Sequence, residues 1–295
     1  MRRIAVLADI HGNMPALEAV IAHIAASGVD EVVVAGDLVG RGPQGAQVVE
    51  RVRELGWASV RGNHEDYMVN FARELVPADW LTTEYWAASR WMAQGLSAEQ
   101  IDYIAGLPDE LAAASTKLLR IVHGTPRSNN EGIGAWTDRA LLEEFMREQA
   151  PVPTLVCAHT HRPYIARVGG GQVVNIGSVG MPFNGDWRAQ YAIFTCDEER
   201  GEVEVSLQQV GYSREELFEI YNRSGFLGDC GFTSYFLKKE LEHARPFLVP
   251  YIRWSEYVSR DACDKETIKN FLDIYNPQMP TEEFMRRLMA GEPTR

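Results

Sequence analysis

Five of the seven histidines, His11, His64, His123, His159 and His161, stand just past short apolar runs and beside Gly, Asp or Asn. Asp9 precedes His11 by two residues, Gly36-Asp37 closes a second apolar run, and Asn63 stands immediately before His64. Imidazole and carboxylate donors in such positions suit first-row divalent ions such as Mn, Fe, Co, Ni or Zn. The four cysteines form no C-x-x-C pair, so neither a zinc ribbon nor a thioredoxin-type site is suggested. His23, opposite the apolar face of its helix, and His243, in a charged segment, are expected on the surface.

Positioning these groups is the task of the apolar runs. Residues 4–8 read as a buried strand; Leu17, Val20, Ile21 and Ile24 then recur at helical spacing up to Gly28. A second strand is expected over 31–35, a helix from Pro43 through Val48, Val52 and Leu55, and a third strand over 57–61. The alternation β-α-β-α-β implies parallel strands with right-handed crossovers, which brings the three motif-bearing ends to one edge, where open α/β sheets bind ligands. Residues 67–107 read mainly as helix and carry Trp80, Tyr85, Trp86 and Trp91; packing of a helix pair on the core is favoured over a cap on the pocket. Further strands are expected at 118–122 and 154–158, a helix around Leu141, Leu142, Phe145 and Met146, and antiparallel hairpins between 163 and 210. The pattern changes near Tyr212, giving a domain over 1–211 and a helical C-terminal extension over 212–295. Its aromatic residues Phe247, Tyr251, Trp254 and Tyr257 leave docking on the core, covering the pocket and a homo-oligomer contact all open.

With 29 basic and 41 acidic residues the formal charge is −12, which argues against a grip on long nucleic acid. A small phosphorylated partner stays compatible, because bound cations can make one pocket positive on an acidic protein. No apolar run approaches the ~18 residues of a membrane span. The apolar stretch after Arg2 and Arg3 is too short for a signal peptide. Unpaired cysteine spacing fits a reducing cytoplasm.

Taken in order, the motifs are Asp9-x-His11, Gly36-Asp37, Gly62-Asn63-His64-Glu65, His123-Gly124 and His159-x-His161. This set resembles the calcineurin-like metallophosphoesterase superfamily, up to about residue 200. The resemblance implies a four-layer α/β/β/α sandwich of two mixed sheets, followed here by the helical appendage. It implies two divalent transition-metal ions, Mn first: Asp9, His11 and His161 on one, Asn63, His123 and His159 on the other, with Asp37 bridging. In that family a metal-bridging hydroxide attacks phosphorus in line, and a histidine at the position of His64 protonates the leaving alkoxide or orients the nucleophile. Glu65 and Asp66 are the nearby candidates to support His64. Arg41, Asn63 and Arg127 are candidate substrate-binding residues, the arginines through a guanidinium fork that suits phosphate.

Several positions depart from relatives within the superfamily. Gly36 to Gly42 resembles the signature of serine/threonine phosphoprotein phosphatases, yet Gly40 replaces the Asp that supports their catalytic histidine. His123-Gly124-Thr125-Pro126 and the segment 175–180 look more like bacterial and archaeal phosphodiesterases. Ala158 stands where the family usually has Gly, and should be tolerated at negative φ. The expected activity is hydrolysis of a small, nucleotide-like phosphodiester. The alternatives are a phosphomonoesterase or phosphoprotein phosphatase, and a dinucleoside-polyphosphate hydrolase. A non-enzymatic scaffold is disfavoured, because every ligand position is filled.

Overall fold

The computed structural model describes residues 1–294. The chain runs β1 (Arg2–Leu7), α1 (Met14–Ala25), β2 (Glu31–Val34), α2 (Gly45–Glu54), β3 (Ala58–Ser59) and α3 (Asn63–Ala72). Two short 3-10 turns lead to α4 (Ala87–Gln94) and α5 (Ala98–Ala105). Next come β4 (Glu110–Ala112), β5 (Leu119–Val122), α6 (Arg139–Glu148), β6 (Thr154–Cys157), β7 (Tyr164–Val168), β8 (Gly171–Asn175), β9 (Ala189–Asp197) and β10 (Glu202–Val210). The remainder is helical: α7 (Arg214–Arg223), α8 (Phe226–Asp229), α9 (Gly231–His243), α10 (Leu248–Tyr257), α11 (Lys265–Ile274) and α12 (Thr281–Met289).

One sheet has the order β10-β9-β1-β2-β3, the other β4-β5-β6-β8-β7. β1, β2 and β3 are mutually parallel, as are β5, β6 and β8, while β9, β10, β4 and β7 pair antiparallel, so both sheets are mixed. The sandwich follows from β1 itself. Ile4, Val6 and Ala8 meet Ile121, Val156 and Val174 of the other sheet. Ala5 and Leu7 point the opposite way, into a core with Leu17, Val20 and Val48 of α1 and α2. A strand buried on both faces must read as an unbroken apolar run, and this one does. On the far side, Leu142, Phe145 and Met146 of α6 cover Leu155, Cys157 and Val173.

Two expected elements change at their boundaries. The third strand shrinks to Ala58–Ser59 because β3 is a sheet edge, and Arg61 N turns away to donate to Pro108 O at 2.7 Å. The helical stretch expected from residue 67 begins at Asn63 and is broken by the 3-10 turns, where Trp80 and Trp86 stack at 3.9 Å between ring centroids. His23 is also not a plain surface residue: its ring bonds the Tyr191 hydroxyl at 2.7 Å.

The C-terminal helices divide their apolar residues between two cores. Leu217, Tyr221, Phe226 and Leu237 pack into the same cluster as α1 and α2. Phe236, Tyr251, Trp254, Phe271, Tyr275 and Phe284 form an aromatic cluster of their own. Among the described residues no helix is long and apolar enough to cross a membrane.

Candidate metal centre and active site

Asp9 and His11 follow β1, Asp37 follows β2, His123 follows β5, and His159 and His161 follow β6; Asn63 and His64 open α3. The carboxyl ends of parallel strands from both sheets thus deliver all of them to one rim. Asp9, His11, Asp37, His159 and His161 have φ of 52°, 51°, 57°, 64° and 58°. Left-handed backbone is uncommon outside glycine, though Asp and His adopt it more readily than other side chains, and it clusters at functional sites. Ala158 is outside this set, as its methyl requires. Backbone bonds lock the turns together: His11 N donates to Asp37 O at 3.1 Å and Gly180 N to Asp9 O at 2.9 Å. The Ser178 hydroxyl also donates to Asp9 O, at 2.8 Å, and Asn175 Nδ2 to Ala158 O at 2.7 Å, so the 175–180 segment braces the ligand turns.

The side chains then face one another in a way that calls for a cation. His11 Nδ1–H donates to Val39 O at 3.0 Å, and His161 Nδ1–H to Met181 O. Both rings therefore present lone pairs at Nε2, and these stand 3.1 Å apart. His123 donates from Nδ1 to Ala35 O at 2.8 Å and places Nε2 3.1 Å from Asn63 Oδ1 and 3.3 Å from Asp37 Oδ2. His159 Nδ1 is 3.0 Å from the same Asn63 oxygen. Asp9 Oδ1 is buried with no hydrogen-bond partner, 3.7 Å from His161, 3.9 Å from His123 and 4.0 Å from His11. Acceptors facing acceptors repel unless positive charge lies between them. Ligands held at ~2.0–2.2 Å from one ion stand about 3 Å apart, so the donor set fits divalent metal. Asp9, His11, Asp37 and His161 are all buried, with ligand atoms within 4.8 Å of one another. Asp37 Oδ2 also lies 3.5 Å from His11 Nε2, between the two groups of donors.

Protonation tells the same story. Burial holds His11 and His161 well below the ordinary imidazole range, in the neutral form that binds metal. Burial opposes the charge on His123, yet the Asp37 carboxylate outweighs it and pushes the ring up to about 10. Burial works against Asp37 as well, but His123 and His64 hold it well below the usual carboxylate range. Burial lifts Asp9 well above that range.

His64 lies beside Asp37, its backbone N–H donating to Asp37 Oδ1 at 2.9 Å, and burial lowers its ring to about 4. Neither candidate support reaches that ring. Glu65 instead accepts from the backbone N–H of Asp37, Leu38 and Gly62 at 2.8, 2.8 and 2.7 Å, which fixes the Asp37 turn. Burial and the Asp37 charge raise Glu65 to about 7, against those donors, which favour the ionised form. Asp66 faces Arg61 at 3.2 Å and Asn129 at 2.6 Å. Gly40 explains why no Asp stands there: at φ 79° a Cβ would lie 2.2 Å from His64 Nδ1, so the ring occupies the space a side chain would need. Gly62 is equally constrained, since a Cβ would fall 2.1 Å from Asp37 Oδ1.

A cavity of about 550 Å³ opens over Asp37, Asn63, His64, His159 and His161, and Tyr85, Trp86, Met92, Leu248 and Ile252 also line it. Trp86 therefore both packs a helix and caps the pocket. Arg41 lines this cavity, but its guanidinium is bonded to Glu240 of α9, and its Nε to Met181 Sδ at 3.1 Å. Arg127 is a correction: it lies outside the cavity, with its guanidinium on Glu144 and 3.6 Å from Glu148, because α6 presents those carboxylates beside it. Glu240 is a site residue missed from sequence. Fully buried, it bonds Arg41 with one oxygen and accepts from Phe247 N and Leu248 N at 2.8 and 3.0 Å with the other. A carboxylate on the same helical face as Phe236, Leu237 and Leu241 was the available signal.

A buried Asp/His cluster of this kind at the strand ends fits a divalent-metal site. A profile described as the calcineurin-like phosphoesterase superfamily domain matches residues 1–199, and the chain belongs to that superfamily, a group of metal-dependent phosphoesterases. An uncharacterised protein of Methanocaldococcus jannaschii is 27% identical over 232 residues, covering 73% of this chain and 90% of its own. The solved structure of a metallophosphoesterase from Sphaerobacter thermophilus superposes with a TM-score of 0.66 at 27% identity, over 82% of this chain and 99% of that one. A hypothetical protein from Pyrococcus horikoshii shares the fold, with a TM-score of 0.67 at 23% identity, over 84% and 100% of the two chains.

Proposed function

We propose that this phosphoesterase hydrolyses a small phosphodiester with two divalent transition-metal ions, Mn first, and His64 as the acid. Asp9, His11 and His161 would hold one ion and Asn63, His123 and His159 the other, with Asp37 between. Bound there, the ions would supply Lewis acidity toward phosphoryl oxygens and a more acidic water as nucleophile. The chain's own side chains do the rest. Asn63 and Asp37 fix the donors on either side, while His64, lining the cavity next to Asp37, takes up a proton as the anionic phosphate offsets its burial and gives it to the leaving alkoxide. The apolar wall of Tyr85, Trp86 and Ile252 receives the organic part of the leaving alcohol.

The observation that favours a diester is the pairing of Arg41, whose guanidinium lines the cavity but is tied to buried Glu240. A monoester dianion carries more charge and needs additional cationic groups; a diester monoanion does not. The division into residues 1–211, carrying the ligands, and 212–295, carrying Glu240 and part of the cavity wall, belongs to this proposal, as does a cytoplasmic setting for the four unpaired cysteines. With Mn-loaded protein, kcat/KM for bis(p-nitrophenyl) phosphate should exceed that for p-nitrophenyl phosphate by about tenfold or more. The opposite order would overturn the diester reading.

A further inference from the structure

A second cavity, of about 780 Å³, adjoins the first, and the two share His159, Phe183 and Val249 as lining. His159 stands at the metal centre, 3.0 Å from Asn63 Oδ1, and Phe183 stacks on the His161 ring at 4.5 Å. The donor cluster therefore opens in two directions. His64 lines only the first cavity.

The second cavity has a different character. Trp136 lies in its wall with 58% of its surface exposed. Arg162 holds its guanidinium 5.9 Å from the Trp136 ring centroid while its Nε donates to Phe183 O at 3.2 Å. An exposed indole backed by a guanidinium suits stacking by a planar, polar ring.

We infer that the second cavity is a subsite for the alcohol retained on phosphorus, and that this alcohol is a nucleoside. The inference rests on the diester reading, because a diester has two organic arms to fill two cavities and a monoester only one. Water adds its oxygen to phosphorus, the P–O bond to the alcohol in the first cavity breaks, and His64 returns a proton to that alkoxide. The nucleoside monophosphate remains against Trp136 and leaves as product, while the second proton of water passes to solvent.

The test uses two esters with one leaving group, thymidine 5′-(p-nitrophenyl phosphate) and methyl p-nitrophenyl phosphate, on the Mn-loaded full chain and on Trp136→Ala. Because Trp136 is largely exposed, the variant should fold, and its thermal midpoint checks this. The wild-type chain is expected to show a KM about tenfold lower for the thymidine ester. Trp136→Ala should bring the two KM values together, and inhibition by thymidine 5′-monophosphate should weaken about tenfold. Equal KM values in the wild-type chain, or an undiminished preference in the folded variant, would overturn the subsite and leave the diester reading standing. Turnover of neither ester would overturn both.

Discussion

The contact between His64 and Gly40 makes a sharp statement at the scale of single residues. A side chain at position 40 has no room beside the imidazole and would sit at φ 79°. Gly40→Asp, which restores the phosphoprotein-phosphatase residue, should therefore displace His64 and lower kcat, not improve it; a steady-state assay of the folded variant checks this. His64→Ala is expected to lose about 10²–10⁴-fold in kcat while retaining its metal, because the ring is absent from the donor cluster; elemental analysis alongside the assay separates catalyst from ligand. The buried cluster of Asp9, His11, Asp37 and His161 was legible in the sequence because each follows a strand, so that type and position coincide. The role of Glu65 was not, since its partners are backbone N–H groups at Asp37 and Leu38, reached only after β2 and α3 come together. The reading of Arg127 failed for the opposite reason: proximity to His123 in sequence says nothing about the two carboxylates that α6 brings to it.

Among the elements, α9 connects the C-terminal helices to the catalytic rim through Glu240 and Arg41. Breaking a buried ion pair by removing one partner's charge costs about 3–5 kcal/mol. Glu240→Gln keeps an acceptor for Phe247 N and Leu248 N but leaves Arg41 unpaired. It should lower the urea midpoint and shift the activity ratio toward monoesters, as the guanidinium becomes available to phosphate. A destabilised variant with an unchanged mono- to diester ratio would show that the pair serves folding alone. The strand and helix order through β10, apart from the three-residue β4, could be read from apolar periodicity, and so could the shared edge of β1, β2 and β3. The contacts of the C-terminal helices could not, because an amphipathic face specifies burial but not the surface that covers it. Leu217 and Tyr221 meet α1 and α2, whereas Tyr251 and Phe271 meet each other.

For the molecule as a whole, a net charge of −12 is compatible with an anionic substrate only if positive charge is concentrated at the rim. Metal should therefore be a component of stability as well as of activity. Chelation is expected to abolish turnover, and reloading with Mn at about 100 times Kd should raise the thermal midpoint by about 5–10 °C. Calorimetry of the stripped and reloaded chain measures this shift. The most direct test is anomalous diffraction at the manganese edge from a crystal of the Mn-loaded protein. Two peaks are expected, one among Asp9, His11 and His161 and the other among Asn63, His123 and His159, with Asp37 touching both. Peaks elsewhere on the surface, with none among these side chains, would contradict the account.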